Sequence, residues 1–376
     1  MGWNVLGPAT VVSVAYVDPG NFGANIEAGM RFGLSLLWVV WLSGALSVVV
    51  QYAAGMVGVR KGAGIFDLVG RRWVAAPVGV AVVLATDMAE YMGVVLGLHF
   101  LFGLPYEAAA VVGFADVALL AALADRRSLF VKVIGAMVAA IAVSFLVELY
   151  LVKPDWAAVL RYSVTPTLSG EEALVAAAIV GATIMPHAVV LHSHLAVGQR
   201  REEHLRQTVV NLLGVAAINA SILISSAYML HGAEADVADV PKLLEPLYGP
   251  LSAYLFSLAM LLSGLSSSAV SVEFGLITAR LLLGRPVSAW KARLAARAVN
   301  VAPAVLALTA LGMTPLSVLV YTQFVLAAAL PAVLAMLWAC SKGAVGGAVR
   351  AVVGATALYA AALTALTILA GVRVGP

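Results

Sequence analysis

About eleven stretches of roughly twenty apolar residues follow one another along the chain, each long enough to cross a hydrocarbon core about 30 Å thick. They run approximately Asn4 to Gly29, Ser35 to Val59, Trp73 to Phe102, Tyr106 to Leu123, Ser128 to Leu151, Ala173 to Val197, Gln207 to Leu230, Leu251 to Leu283, Ala292 to Leu311, Leu316 to Ala339 and Val345 to Val372. Lipid offers the backbone no hydrogen-bond partners, so each stretch must close its own bonds as a helix. The predicted fold is an all-α integral membrane bundle over residues 1–376, with no linker or composition shift to divide it. A 62% apolar and 11% charged composition excludes a water-soluble domain of ordinary surface.

Other classes fall away on composition. The single cysteine, Cys340, leaves no internal disulfide, and no CxxC or HExxH spacing marks a structural zinc or a zincin site. A net charge of +3, carried in short loops, argues against nucleic acid as a partner. The opening ten residues lack the basic region and cleavage site of a secretory signal, so the first stretch reads as a retained helix. With the N-terminus in the cytoplasm, 17 of the 22 Lys and Arg residues fall on the inner side. Arg31, Lys153, Arg161, Lys242 and Arg373 are the outer 5. This asymmetry sets the orientation, and an odd span count puts the C-terminus outside.

Two spans carry interruptions. Asp18-Pro19-Gly20-Asn21 lies in the first and Met185-Pro186-His187 in the sixth. Proline removes a helical hydrogen bond and clashes with the preceding turn, so both helices are expected to unwind locally rather than merely kink. Freed carbonyls at bilayer depth survive only in protein or beside a polar cavity. Spans one and six also open two five-helix halves, approximately residues 4–151 and 173–339. Paired breaks at corresponding positions are the signature of an inverted-repeat transporter with a midplane site. The helix over 345–372 is an addition to that core.

The breaks carry chemistry. Asp18 offers an anionic oxygen, Asn21 a neutral one, Met185 a thioether, and the Val17 or Ala182 backbone a carbonyl. Oxygen ligands alone suit magnesium, calcium or manganese, whereas the thioether shifts preference toward softer ions. His187 and His192, five residues apart, lie about 140° apart around a helix and would not chelate one ion; His187 reads instead as part of a proton path or gate, and His194 as solvated. Asp87 and Glu90 are three apart on one face of the third span. Two ionised carboxylates there would repel, so the pair needs a proton or a cationic partner, for which Arg297 is the candidate. Asn219 and Gln323 sit mid-span, where an amide either faces the site or bonds a neighbouring helix. The run Ser263-Gly264-Leu265-Ser266-Ser267-Ser268 permits close helix packing. Glu27 and Glu148 read as solvated carboxylates near the outer face, while Asp116, Glu273 and His99 have no place in this scheme.

At these residues the sequence closely resembles the Nramp family of divalent metal transporters, in its prokaryotic form. The resemblance is carried by Gly7-Pro8, Ser13 to Asn25, Ala85 to Glu90, Met185-Pro186-His187 with Leu191-His192-Ser193, and Thr322-Gln323 followed by Pro331. It implies a LeuT-like fold in which Asp18, Asn21, Met185 and the Ala182 carbonyl bind metal, with Gln323 and Asn219 joining in an occluded state. It implies a proton route through Asp87, Glu90, His187 and Arg297. It also implies import of manganese or ferrous iron with protons across a prokaryotic inner membrane, with cadmium and cobalt accepted and no permanently bound cofactor. The chain departs from the family pattern at Ala188, Glu27, Ala296, Leu265, Glu273 and Leu276.

Alternatives remain, some within the same fold and one, a passive channel, of a different class. An ion-coupled amino-acid transporter would place a substrate carboxylate at the first break, where Asp18 repels it. A passive channel, or an uncoupled or magnesium-accepting transporter, would move metal without compulsory proton movement; Met185 speaks against magnesium. No nucleophile with a neighbouring base and no cofactor fingerprint suggests an enzyme.

Overall fold

The computed structural model describes residues 7–70, 72–117, 127–232 and 240–369. The expected limits Asn4, Leu123 and Val372, and the charges Arg71, Arg126 and Arg373, lie outside these residues. The chain begins with α1 (Pro8–Val14), tightens into a 3-10 turn (Ala15–Val17), and resumes as α2 (Pro19–Phe32). Then come α3 (Leu37–Lys61), the short α4 (Ile65–Leu68), the long α5 (Arg72–Phe102), α6 (Tyr106–Gly113), α7 (Arg127–Val152) and α8 (Trp156–Val164). The second half holds α9 (Gly170–Thr183), α10 (Pro186–Leu195), α11 (Arg201–Met229), α12 (Val240–Tyr248), α13 (Pro250–Leu283), α14 (Ala289–Thr309), α15 (Pro315–Cys340) and α16 (Gly347–Leu369).

Among the described residues, 9 helical segments are long and apolar enough to cross a membrane, one of which, Val175–Leu195, runs through the junction of α9 and α10. The count differs from the eleven stretches at two places. The first stretch is divided into pieces of 7 and 14 residues, neither of which spans alone. The fourth yields only the 8 residues of α6 before the chain turns at Phe114, and its remainder from 118 onward lies outside the described residues. Trp73, Tyr150 and Leu358 are 74%, 77% and 75% exposed. Apolar groups this open to the outside mark a surface that lipid covers. The chain is a multi-pass membrane protein.

The most extensive helix pairing joins α5 to α13. Lipid supplies no hydrophobic drive between helices, so close contact depends on small residues that let backbones approach. A Cβ at Gly264 would lie 2.8 Å from Val94 N and 2.9 Å from Glu90 O, and one at Gly97 would lie 2.6 Å from Leu261 Cα. Gly93 meets the ring of Pro19, so the same seam seats the first helix break. Outside this core, α16 packs against α15 and α3. Arg350 lies 4.2 Å over the Trp338 ring, and Thr364 donates to Ala327 O at 3.0 Å.

Two side chains depart from the expected solvated positions. Glu148 is 1% exposed, because α7 turns it into the protein rather than toward the outer face. His194 is half-buried and its Nε2 lies 3.3 Å from Asp67 Oδ2, a partner supplied by α4.

Candidate functional site

The two interruptions are built alike. At the first, Asp18 is extended (φ −89°, ψ 165°) and Pro19 occupies the first helical position of α2. At the second, Ile184 (φ −91°, ψ 84°) and Met185 (φ −77°, ψ 122°) leave helical geometry before Pro186 opens α10. Proline is favoured at a helix start because the N–H it lacks would have no partner there. Asp18 caps α2, accepting from Gly20 N at 3.1 Å and Asn21 N at 3.0 Å. Met185 makes no side-chain cap bond, and it is buried at the second break.

Asn21 joins the breaks. Its Nδ2 donates to Asp18 Oδ1 at 2.6 Å and to Ala182 O at 2.9 Å. An –NH2 group carrying partial positive charge thus sits between an anionic oxygen and a freed carbonyl, the environment a cation would seek. A carboxylate offers about four acceptor positions. Those on Asp18 Oδ1 are taken by Asn21 N and Nδ2, while Oδ2 receives only Gly20 N among the bonds seen. Asn21 Oδ1 in turn accepts from Thr183 Oγ at 3.2 Å.

One further amide stands at the first break, and a second lies on the Tyr16 carbonyl just before it. Among the described residues, neither amide atom of Gln323 finds a hydrogen-bond partner although both are buried. A Cβ on Gly20 would lie 2.6 Å from the Gln323 amide carbon and 2.9 Å from Asp18 Oδ2, so glycine lets this amide stand beside the carboxylate. A buried amide left unsatisfied costs free energy and calls for an explanation, which a ligand between it and Asp18 would supply. Asn219 donates to Tyr16 O at 2.9 Å, and its Oδ1 has no partner among the described residues. The Val17 carbonyl, also a candidate ligand, is instead occupied by Ser263 Oγ at 2.7 Å. Among the described residues, no three His, Cys, Asp or Glu side chains are grouped to hold a metal. Any cation here would be held by the mixed set of carboxylate, amides, carbonyl and thioether.

The second set of polar residues divides in two. Although Asp87 and Glu90 share a face of α5, they turn to different neighbours. Glu90 accepts from Ser267 Oγ at 3.1 Å and Ser271 Oγ at 2.6 Å on α13. Asp87 accepts from Asn300 Nδ2 at 2.9 Å and lies 3.7 Å from Arg297 Nη2. Arg297 is wholly buried; its tighter ion pair is with Asp116, and its guanidinium lies 4.4 Å over the Tyr91 ring. So Arg297 serves Asp87 and Asp116, whereas Glu90 is met by serines. The sequence reading gave Asp116 no role and did not single out Asn300. Asn300 could have been found, being three residues beyond Arg297 on one helix face.

His187 lies with Nδ1 3.5 Å from Thr86 Oγ, one residue before Asp87, and so connects α10 to the acidic helix. His192 belongs elsewhere. Its Nδ1 lies 3.0 Å from Gln51 Oε1, Gln51 donates to Tyr16 OH at 2.7 Å, and the His204 ring is 5.0 Å away.

An all-helical membrane bundle with two broken helices tied together by buried polar groups is the architecture of a transporter. The sequence signature described as natural resistance-associated macrophage protein-like, or Nramp, matches residues 9–374. A divalent metal cation transporter, MntH, of Deinococcus radiodurans is 37% identical over 349 residues, covering 87% of this chain and 79% of that protein. The protein of the same name from Mycobacterium tuberculosis is 35% identical over 356 residues, covering 88% of this chain and 81% of its own. Crystal structures of the Eremococcus coleocola manganese transporter share the fold. A point mutant superposes with a TM-score of 0.86 at 22% identity, covering 96% of this chain and 85% of that one. The complex with a bis-isothiourea compound gives 0.85 at 23%, covering 98% and 88%. The chain belongs to the Nramp family, and that membership makes it a membrane transporter rather than an enzyme.

Proposed function

We propose that this protein imports divalent transition metal ions, manganese and ferrous iron, together with protons by alternating access. The observation that carries the reading is the Asn21 amide bridging Asp18 and the Ala182 carbonyl where the two broken helices meet. Rotating that amide by half a turn would present Oδ1 in place of –NH2, so that carboxylate, amide oxygen and carbonyl converge on one ion. Met185 adds sulfur and disfavours hard ions. Gln323 and Asn219, each with buried polar atoms lacking partners, would close the ligand set as the site occludes. Relatives named as divalent metal cation transporters support the substrate class.

The proposed architecture is a LeuT-like pair of inverted five-helix repeats, 4–151 and 173–339, with the helix over 345–372 added. In the bacterial inner membrane its N-terminus would face the cytoplasm and its C-terminus the outside. Protons would pass by Asp87, Glu90, His187 and Arg297, all of them buried. Midplane ionisable groups are the usual substance of such relays. Cobalt and cadmium, borderline and soft ions, should also be accepted.

Uptake into proteoliposomes, with internal pH read at the same time, tests the proposal. Manganese should enter with acidification while magnesium stays out, and Asp18→Ala should abolish entry. Undiminished uptake by that variant would remove Asp18 from the site. Metal entry without acidification by the unmodified protein would refute the proton-coupled half alone.

A further inference from the structure

Asp116, just beyond α6, has no part in the proton route proposed above, yet it holds the arginine on which that route depends. The groups around Arg297 come from several elements. Asp87 on α5 lies 3.7 Å from Nη2, and its backbone carbonyl accepts from Nη1 at 3.4 Å. Tyr91, also on α5, presents its ring face to the guanidinium and spends its hydroxyl on Ala110 O of α6 at 2.6 Å. Asn300 on α14 bonds Asp87, and Glu90 is turned toward the α13 serines. Asp87, Asp116 and Arg297 are all nearly inaccessible, at 1%, 5% and 0%. Two carboxylates thus share one guanidinium in a place where charge must be balanced to be tolerated.

We propose that Asp116 is a positioning residue for proton coupling: by holding Arg297 it keeps the guanidinium from neutralising Asp87, so that the trio has room for one exchangeable proton. The proton is taken up as Asp87 passes from carboxylate to carboxylic acid, and it leaves by the reverse step. With the proton bound, one acid, one carboxylate and one guanidinium are neutral together. Without Asp116, Asp87 and Arg297 form a neutral pair already, and no charge imbalance remains for a proton to correct. This proposal rests on the proton-coupled reading.

Asp116→Asn, nearly the same shape without the charge, tests it in manganese-loaded proteoliposomes. Manganese entry should persist while the protons moved per metal ion fall to background. Asp116→Glu, which restores the anion, should keep that ratio. An unchanged ratio in D116N, or its loss in D116E as well as D116N, would overturn the proposal. If D116N does not fold, Asp116→Ser, smaller and also uncharged, is read by the same ratio. Infrared difference spectra across a pH step give a readout that packing alone would not move: D116N should lose one protonatable carboxyl signal beyond that of its own side chain. Absence of acidification by the unmodified protein is the separate failure of the coupled reading.

Discussion

Thr183 has one hydroxyl hydrogen and two acceptors in reach, Asn21 Oδ1 at 3.2 Å and Ile179 O at 2.6 Å. That geometry accommodates either orientation of the Asn21 amide. With –NH2 toward Asp18, Thr183 donates to the amide oxygen. With Oδ1 toward a metal ion, the amide can donate to the Thr183 oxygen, whose hydrogen then goes to Ile179. A hydroxyl is both donor and acceptor, so no buried polar group is stranded in either state. Thr183→Val keeps the shape and removes this adaptability. The metal-bound orientation would then lose a hydrogen bond worth about 1 kcal/mol, hence roughly fivefold in manganese Kd. Isothermal titration of detergent-purified T183V checks this, and an unchanged Kd would show that the amide finds another partner.

At the scale of helices, the seam between α5 and α13 dominates. Gly264→Ala would push a methyl against the backbone at Glu90 and Val94, atoms that cannot move aside as a flexible side chain would. Overpacking of this kind costs about 1–3 kcal/mol. G264A should therefore lower the thermal midpoint of unfolding in detergent, whereas alanine at Gly135, where a Cβ meets nothing within 4 Å, should leave it unchanged. The run from Ser263 to Ser268 on this seam was legible in the sequence as a close-packing stretch, as were the helix breaks, because Pro19 and Pro186 interrupt apolar runs. The polar pairings were not legible. Asp87 and Glu90 share a helix face, but which neighbour each addresses depends on how α13 and α14 pack around α5. Asp116 and Arg297 are 181 residues apart, and nothing local to either announces the pair. Glu148 misled for the same reason: nearness to a helix end suggests water, and only packing shows which way the side chain faces.

For the whole molecule, the proposed orientation in the bilayer makes a prediction that labelling can check. In the proposed topology, drawn from the asymmetry of Lys and Arg, the loop after α3 would lie in the cytoplasm and the stretch between α8 and α9 outside. Cys340 is the sole cysteine of the sequence and is buried, so a Cys340→Ser background allows single reporters. In intact cells a membrane-impermeant maleimide should label Thr165→Cys and spare Lys61→Cys; both positions are exposed, and inverted vesicles should reverse the pattern. Labelling of Lys61→Cys from outside would invert the proposed topology.

The glycine seam also limits how this molecule can vary. Gly264 faces backbone and Gly93 faces a proline ring, so neither neighbour can yield by rotating a side chain. A compensating second substitution cannot open enough space there, because shortening Val94, whose Cγ2 would lie 3.0 Å from that Cβ, leaves the backbone atoms of Glu90 and Val94 in place. Saturation mutagenesis selected by growth under manganese limitation should leave these two columns nearly empty. The lipid-facing positions Trp73 and Leu358 should fill with almost any apolar residue. Heritable change in this transporter is thereby directed to its rim and loops.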